Sequence, residues 1–380
     1  MTKVAIARER RDHETRVAAS PDTVKKFVDL GLLVSVETGA GRAARFTDDD
    51  FEQAGARLAE TPDAAFKDAD IVLKVLPPLD DELTYMRRGA LLIGLLEPFD
   101  NRAAVERYAG AGIEAFAMEL MPRISRAQSM DVLSSQSNLA GYKAVIDAAA
   151  SYGRAMPMMM TAAGSIAPAR VMVFGAGVAG LQAIATARRL GAIVLATDVR
   201  PAAKEQVESL GAGFVMVDSE ETKQAETSGG YAKEMSEDYQ KAQAQLIAEM
   251  LPSQNIVICT ALIPGRPAPL LITEEMVRSM KPGAIIVDLA VERGGNCALS
   301  KPGEEVDING VKIIGHLNVA GRLPADASAF YARNLLNFVT PLINAGNGAI
   351  QIDWQDEIVT GTCLTRDGKM VHPILNGGSN

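Results

Sequence analysis

Two stretches of the chain hold residue types that could do chemistry. Between Glu119 and Asn138 the sequence E-L-M-P-R-I-S-R-A-Q-S-M-D-V-L-S-S-Q-S-N crowds Arg123, Arg126, Gln128, Asp131, Ser134, Ser135 and Gln136 beside Pro122. Its polar part holds many hydrogen-bonding groups and no His, Cys, Lys or Glu. Such a segment can orient a ligand but has little with which to transfer a proton. On residue types alone, Asp131 can equally cap the helix that follows. Arg126 reads as a surface or interdomain charge, and Ser135 and Gln136 as early-turn helix residues.

The second stretch is Gly175-Ala176-Gly177-Val178-Ala179-Gly180. It follows the β-branched run Arg170–Phe174 and precedes the helical Leu181–Leu190, and a further strand ends at Asp198, next to Val199. G-x-G-x-x-G between strand and helix, with an acid about 20 residues on, is the pattern of a dinucleotide-binding βαβ unit. Gly175 permits the tight turn and Gly177 the approach of a pyrophosphate to the helix N-terminus; Gly180 permits close packing of helix on strand. Asp198 can accept from the adenosine ribose hydroxyls and would repel a 2′-phosphate, which favours NAD over NADP. Arg200 could accommodate such a phosphate; beside Asp198 it reads as a solvated charge opening a loop. A close-packed turn without ligand would use the same glycines.

Composition narrows the classes. The 380 residues are 48% hydrophobic and 22% charged with a net charge of −9, which suits a globular protein of two domains and argues against nucleic acid as partner. Cys259, Cys297 and Cys363, and His13, His316 and His372, are scattered, with neither a disulfide framework nor metal-ligand spacing. The N-terminus is charged too early for a signal peptide. The uncharged run Val171–Ala187 falls short of the about 20 apolar residues of a membrane span and contains three glycines and Gln182.

The elements that must position these stretches alternate between strand-like and helix-like, which predicts α/β architecture with parallel sheets. Strands are expected at Val4–Ala7, Leu33–Glu37, Ile71–Val75, Leu91–Leu95 and Ile113–Ala117, then at Val171–Phe174, Ile193–Thr197, Phe214–Val217, Ile256–Thr260, Ile285–Asp288 and Lys312–Ile314. Pro21–Leu30 reads as a helix capped by Ser20, and Thr47–Ala54 opens similarly. Long helices near Asp131–Arg154 and Ala325–Ile343 would carry the chain between domains. The Met-rich piece after the first of these reads as a connector whose methionines fill core gaps. The tail, with strand-like Ala349–Ile352 and Ile358–Thr362, is expected to complete the first domain. Asp218–Asp238 is a long acidic segment with Gly229-Gly230 and Tyr231 at its middle, either a lid over a bound nucleotide or a solvated insertion.

Taken together, A-M-E-L-M-P-R-I-S-R-A-Q-S-M-D (117–131), S-S-Q-S-N-L-A-G-Y (134–142), F-G-A-G-V-A-G-L-Q-A-I-A-T-A (174–187), G-G-Y-A-K-E-M (229–235) and L-L-N-F-V-T-P (335–341) resemble the NAD(H)-binding subunit of proton-translocating nicotinamide nucleotide transhydrogenases. The resemblance spans essentially the whole chain and is closest to the split form of the family. It implies a homodimer that binds NAD(H) and serves a Re/Si-specific transhydrogenase as one subunit. NADP(H) would sit on a partner component. Hydride would pass directly between the nicotinamides, coupled to proton movement through a membrane-spanning component. The chain would then be cytoplasmic and peripheral on the inner membrane. The resemblance also implies that Gln128 sits between the two nicotinamides, Asp131 and Ser134 near the carboxamide, and Arg123 beside the nicotinamide ribose and phosphates. Asp198 maps to the adenosine ribose and Tyr231 to the mobile-loop tyrosine.

Alanine dehydrogenase shares the fold and is the competing resemblance. Arg16 and Lys74 match the pair that holds the substrate carboxylate there. That pattern also needs a His where this chain has Leu95, and an Asp where it has Glu292, itself also readable as a solvated or helix-capping acid. Oxidising an amino acid requires a positioned acid/base, and Leu95 cannot titrate. Hydride exchange between nicotinamides needs alignment and exclusion of water, with no general base. A third possibility is an NAD-binding regulatory module without chemistry. The expected fold is two Rossmann-like domains, 1–126 plus 322–380 and 127–321, with a cleft between them.

Overall fold

The structure, a computed structural model, describes residues 1–217, 219, 221–222, 235–263 and 265–376. It divides into two compact units, Met1–Gln136 with Gly321–Asn380, and Ser137–Ala320. In the first unit, β1 (Lys3–Ile6), β2 (Leu33–Glu37), β3 (Arg57–Ala59), β4 (Ile71–Leu73), β5 (Leu91–Gly94) and β6 (Glu114–Ala117) form one parallel sheet in the order β3-β2-β1-β4-β5-β6. Its central strands are apolar on both faces, and Val4, Ile6, Ile71, Leu73, Leu92 and Ile93 are fully buried, as a sheet covered on two sides requires. Phe27, Phe51 and Phe338 pack over one face, Phe66 and Tyr108 over the other. Ser20 caps the helix Pro21–Asp29 in a reciprocal pair with Thr23, and Thr47 does the same with Asp50 for Asp48–Gln53.

The second unit opens on an antiparallel hairpin, β7 (Met159–Thr161) and β8 (Gly164–Ile166). Its main sheet comprises β9 (Arg170–Phe174), β10 (Ile193–Thr197), β11 (Gly213–Phe214), β12 (Ile256–Cys259), β13 (Ile285–Asp288), β14 (Glu305–Ile308) and β15 (Val311–Ile314), in the order β11-β10-β9-β12-β13-β15-β14. All neighbours are parallel except β14 with β15. Both sheets therefore wind outward from a central strand, with the order reversing at β1/β4 and at β9/β12. Outside the carboxyl ends of strands at such a reversal lies the crevice where α/β sheets bind ligands. The helix Val132–Ser151 begins in the first unit and ends in the second, and Pro324–Val339 lies in the first. The tail adds β16 (Thr365–Arg366) and β17 (Lys369–Met370), a second hairpin.

Several expectations need correction. Met156 is buried, but Met158, Met159 and Met160 are 64%, 47% and 77% exposed on the hairpin, so these three do not fill a core. Ile358–Thr362 is helical, within Glu357–Thr362, because Asp356 caps it by accepting from Ile358 N. Ala349–Ile352 forms no strand; Ile350 makes an isolated bridge to Ile343. β11 stops at Phe214, short of Val217. Tyr231 and Gly229-Gly230 lie outside the described residues. Among the described residues, no helix is long and apolar enough to cross a membrane, and no group of His, Cys, Asp and Glu could hold a metal ion. All three cysteines are buried thiols.

Candidate functional site

The glycine turn joins β9 to the helix Val178–Arg189, and its three glycines serve different ends. Gly175 has φ of +89°, and a Cβ there would lie 2.8 Å from Thr260 Oγ1. Thr260, just past β12, donates its hydroxyl to the carbonyls of Phe174 and Gly175, both at 3.0 Å. A Cβ on Gly180 would lie 1.9 Å from Gly175 O, so only glycine lets this helix sit so close to the turn. Gly177 differs: a Cβ there would meet no atom of the described residues within 4 Å. It is the N-cap residue, and among the described residues no side chain caps the helix. Protein packing thus demands glycine at 175 and 180 and not at 177, where the backbone N–H groups at the helix N-terminus stand open to an anion. Val178 begins the helix 40% exposed.

Two neighbours fix this turn that sequence reasoning missed. A Cβ on Gly141 would lie 2.0 Å from Ala179 O, so the helix Val132–Ser151 crosses Val178–Arg189 backbone against backbone. An isolated glycine in a helical pattern was the available signal. Asn296, fully buried, accepts from Ala261 N (3.0 Å) and donates to the carbonyls of Ala261 (2.9 Å) and Pro269 (2.8 Å), fixing the segment after β12.

Asp198 ends β10 almost buried. Its Oδ2 accepts from Ala176 N (2.8 Å) and an Arg200 terminal nitrogen (2.7 Å); its Oδ1 accepts from Arg200 N and Nε (both 2.9 Å). Arg200 is therefore not a solvated charge: it forms a two-pronged ion pair with Asp198, the arrangement its planar fork favours. Val199 packs with Val217, Met235 and Tyr239. Beyond β13, Asp288 is engaged by Ala290 N, Asn296 N, Cys297 N and Ser300 Oγ. Glu292 is exposed and accepts from Asn318 N at 3.4 Å.

The polar segment of the first unit is built differently. Asp131 precedes Val132–Ser151 and accepts from Ser134 N (2.9 Å) and Ser134 Oγ (2.5 Å), so these two residues form a helix cap. Gln128 is exposed on the 3₁₀ turn Ser125–Met130, which Asn334 and Asn337 hold by donating to Ser129 O, each at 2.9 Å. Arg123 is exposed as well. Arg126 pairs with both oxygens of Asp356 inside its own unit (2.6 and 2.8 Å) and is no interdomain charge. Ser135 bonds Asn334 Oδ1 at 2.7 Å, and buried Gln136 accepts from Arg16 (2.9 Å) and donates to Ala327 O (3.1 Å). Both do more than occupy an early helical turn.

Arg16 and Lys74 are buried in ion pairs with carboxylates of the same unit. Arg16 meets Glu14 at 2.7 Å, and Lys74 meets Glu9 at 3.3 Å and Glu82 at 3.1 Å. Burial pushes the Glu9 carboxyl up although Lys74 pulls it down. Leu95, past the end of β5, is partly buried against the core.

Comparison with known proteins adds to this geometry. Residues 5–140 and 144–373 match the families described as the alanine dehydrogenase/PNT N-terminal and C-terminal domains. The chain is 58% identical over 380 residues to the first of the polypeptides that make up the NAD(P) transhydrogenase alpha subunit of Rhodospirillum rubrum, covering 99% of both chains. A crystal structure of a transhydrogenase from Sinorhizobium meliloti superposes with a TM-score of 0.88 at 54% identity, covering 97% of this chain and 100% of that one. An L-alanine dehydrogenase structure superposes with a TM-score of 0.81 at 25% identity, covering 99% and 98%.

Proposed function

The chain belongs to the alanine dehydrogenase/PNT family, and on that premise we propose that it is the NAD(H)-binding component of a proton-translocating transhydrogenase. The observation that carries the dinucleotide site is Gly177, a glycine that packing among the described residues does not require, at a helix N-terminus that none of their side chains caps, beside the β9/β12 reversal. On this reading the 127–321 domain holds NAD(H), with Gly175, Ala176, Gly177, Val178 and Gly180 around the pyrophosphate. Asp198, Val199 and Tyr231 hold the adenosine end. A ribose hydroxyl reaching Asp198 takes the place of an Arg200 N–H, since both carboxylate oxygens already accept two bonds. Bound NAD(H) supplies the hydride.

The protein's own part is alignment. Gln128, Arg123, Asp131 and Ser134 orient the nicotinamide against a second one held by an NADP(H)-binding partner, which requires near-contact geometry and a dry site but no general base. Leu95 favours this over amino-acid oxidation, which needs a titratable group at that position. Proton movement belongs to a membrane-spanning partner, and the chain itself is a peripheral cytoplasmic subunit. The exposed Met158–Met160 and Ile166 on the β7–β8 hairpin support a homodimer, because apolar side chains gathered on one hairpin are covered in most assemblies.

Mixed with an NADP(H)-binding component, the chain should exchange hydride rapidly between NAD(H) and NADP(H) analogues. Turnover of alanine or pyruvate with NAD(H) by the isolated chain would overturn the proposal. NADH binding with neither activity would leave a regulatory module.

A further inference from the structure

The strands β1, β2 and β3 begin at Lys3, Leu33 and Arg57, so these residues mark the amino edge of the first sheet. That edge is opposite the carboxyl ends where α/β sheets bind their usual ligands. Lys3 pairs with Leu33, and Ser35 with Arg57, in parallel register. Alternate residues of a strand share a face, so Lys3, Leu33, Ser35 and Arg57 lie on one side of the sheet. The same side carries Ala5 and Ala59, on which Ala65 and Phe66 of the helix Pro62–Phe66 pack.

A cavity of about 520 Å³ opens there, lined by Lys3, Leu33, Ser35, Arg57, Leu58 and Ala64 among others. Small-molecule sites span roughly 300–1,000 Å³, so it has room for one. The space is left because Ser35, Ala59 and Ala64 are short, and its walls are mostly apolar. Two of its polar side chains are uncommitted. Ser35 is only 6% exposed, yet its hydroxyl makes no hydrogen bond with any described residue. Arg57 is exposed and has neither an ion pair nor a side-chain hydrogen bond among the described residues. The other polar groups are engaged: the Lys3 ammonium donates to Lys67 O, and the Thr61 hydroxyl donates to Asp63 and accepts from Ala64 N.

We propose that this cavity binds a small amphiphilic carboxylate. Arg57 pairs with the head group through its planar fork, Ser35 donates its hydroxyl to it, and Leu33 and Leu58 cover a short apolar body. Arg57 and Ser35 are neighbours across the β2–β3 ladder, so both reach one head group. Burial supplies the reason for the second contact, because buried hydroxyls in native proteins almost always pair. A singly charged head fits best: one guanidinium is uncommitted, and Glu60 in the lining repels a dianion. The site belongs to the first unit alone, and the inference does not depend on which dinucleotide reaction the protein serves.

The test is calorimetric titration of the full chain with octanoate, then with octanol, with inorganic phosphate, and with octanoate in saturating NADH. Octanoate should bind saturably, equally with and without NADH, and about tenfold or more tightly than octanol or phosphate. Arg57→Ala should weaken it about tenfold and Ser35→Ala about threefold. Ala64→Trp, which places a large side chain in the cavity from an exposed helical position, should abolish it. Arg57 and Ala64 are both exposed, so these two variants should melt near wild type. Absence of saturable octanoate binding would overturn the proposal, as would octanol or phosphate binding as tightly. Displacement of octanoate by NADH, or affinity that Arg57→Ala and Ala64→Trp leave unchanged, would overturn it too.

Discussion

The carboxyl edges of the two sheets hold opposite kinds of polar group. At β9/β12 the second sheet offers backbone: an uncapped helix N-terminus, a glycine facing open space, and the carboxylates Asp198 and Asp288 with their oxygens engaged by fixed donors. Around β1/β4 and β5/β6 the first sheet encloses ionisable side chains: Lys74 between Glu9 and Glu82, Arg16 on Glu14, and Glu119. Strand order does not produce this difference, since both sheets wind outward from a central strand. It arises because a backbone site needs shape, which glycine supplies, whereas a side-chain network needs charge balance. The second edge should therefore break by adding atoms, and the first by moving protons.

The largest effect expected is from Gly180→Ala. The new Cβ would fall 1.9 Å from Gly175 O, a backbone atom that cannot rotate away. Destabilisation of roughly 3 kcal/mol or more should follow, read as a lowered melting temperature together with lost NADH binding. Gly177→Ala is the counterpart. With nothing within 4 Å, its stability cost should be about 1 kcal/mol or less while NADH affinity falls about tenfold or more. If the two variants melted alike, the division into packing and ligand glycines would be wrong.

The first edge is probed by pH. Glu119 lies near 7 in the folded protein against an ordinary 4.5. Its pKa is raised, so its contribution to stability is fully present below about 4.5 and is lost as pH rises through about 7. The loss is at most about 3 kcal/mol. Thermal melting across that window should show wild type losing stability relative to Glu119→Gln, which has no proton to release. Parallel curves for the two proteins would remove Glu119 as the titrating group. Glycine variants in the second unit should leave this pH dependence intact.

Asp198→Ala sharpens the comparison from the other side. It deletes the ribose acceptor and also removes the carboxylate to which Arg200 and the Ala176 N–H both donate. NADH affinity should drop by about 2 kcal/mol in binding energy, measured by fluorescence titration. Undiminished affinity would take Asp198 out of the ribose site.

How much of this is legible in the sequence follows the same divide. The glycine turn can be read because its spacing encodes shape, and the long apolar strands fall within a residue or two of their expected places. β14 and the tail hairpin are harder to see, although Asn309-Gly310 and Asp367-Gly368, all at positive φ, carry the short-hairpin signal. β3, three residues of R-L-A, has too little pattern to register. The methionines mislead because composition does not say which way a side chain faces. The Asp198–Arg200 pair depends on rotamers set by neighbouring donors. Glu119 escapes notice because its donors, the backbone N–H groups of Leu96 and Glu97, lie more than twenty positions away in the chain.

Gln128→Asn should produce the smallest change and bears most directly on the proposed reaction. Gln128 sits exposed on a 3₁₀ turn that Asn334 and Asn337 hold through Ser129 O, so shortening its side chain by one methylene leaves the turn and its stability alone. If the residue aligns two nicotinamides, the hydride-transfer rate in the mixed complex should fall about tenfold, roughly 1.4 kcal/mol, with NADH affinity changed less than about twofold. A loss of affinity at unchanged rate would make Gln128 a binding contact, and the first unit's exposed segment would then resemble the second edge in function while differing from it in construction.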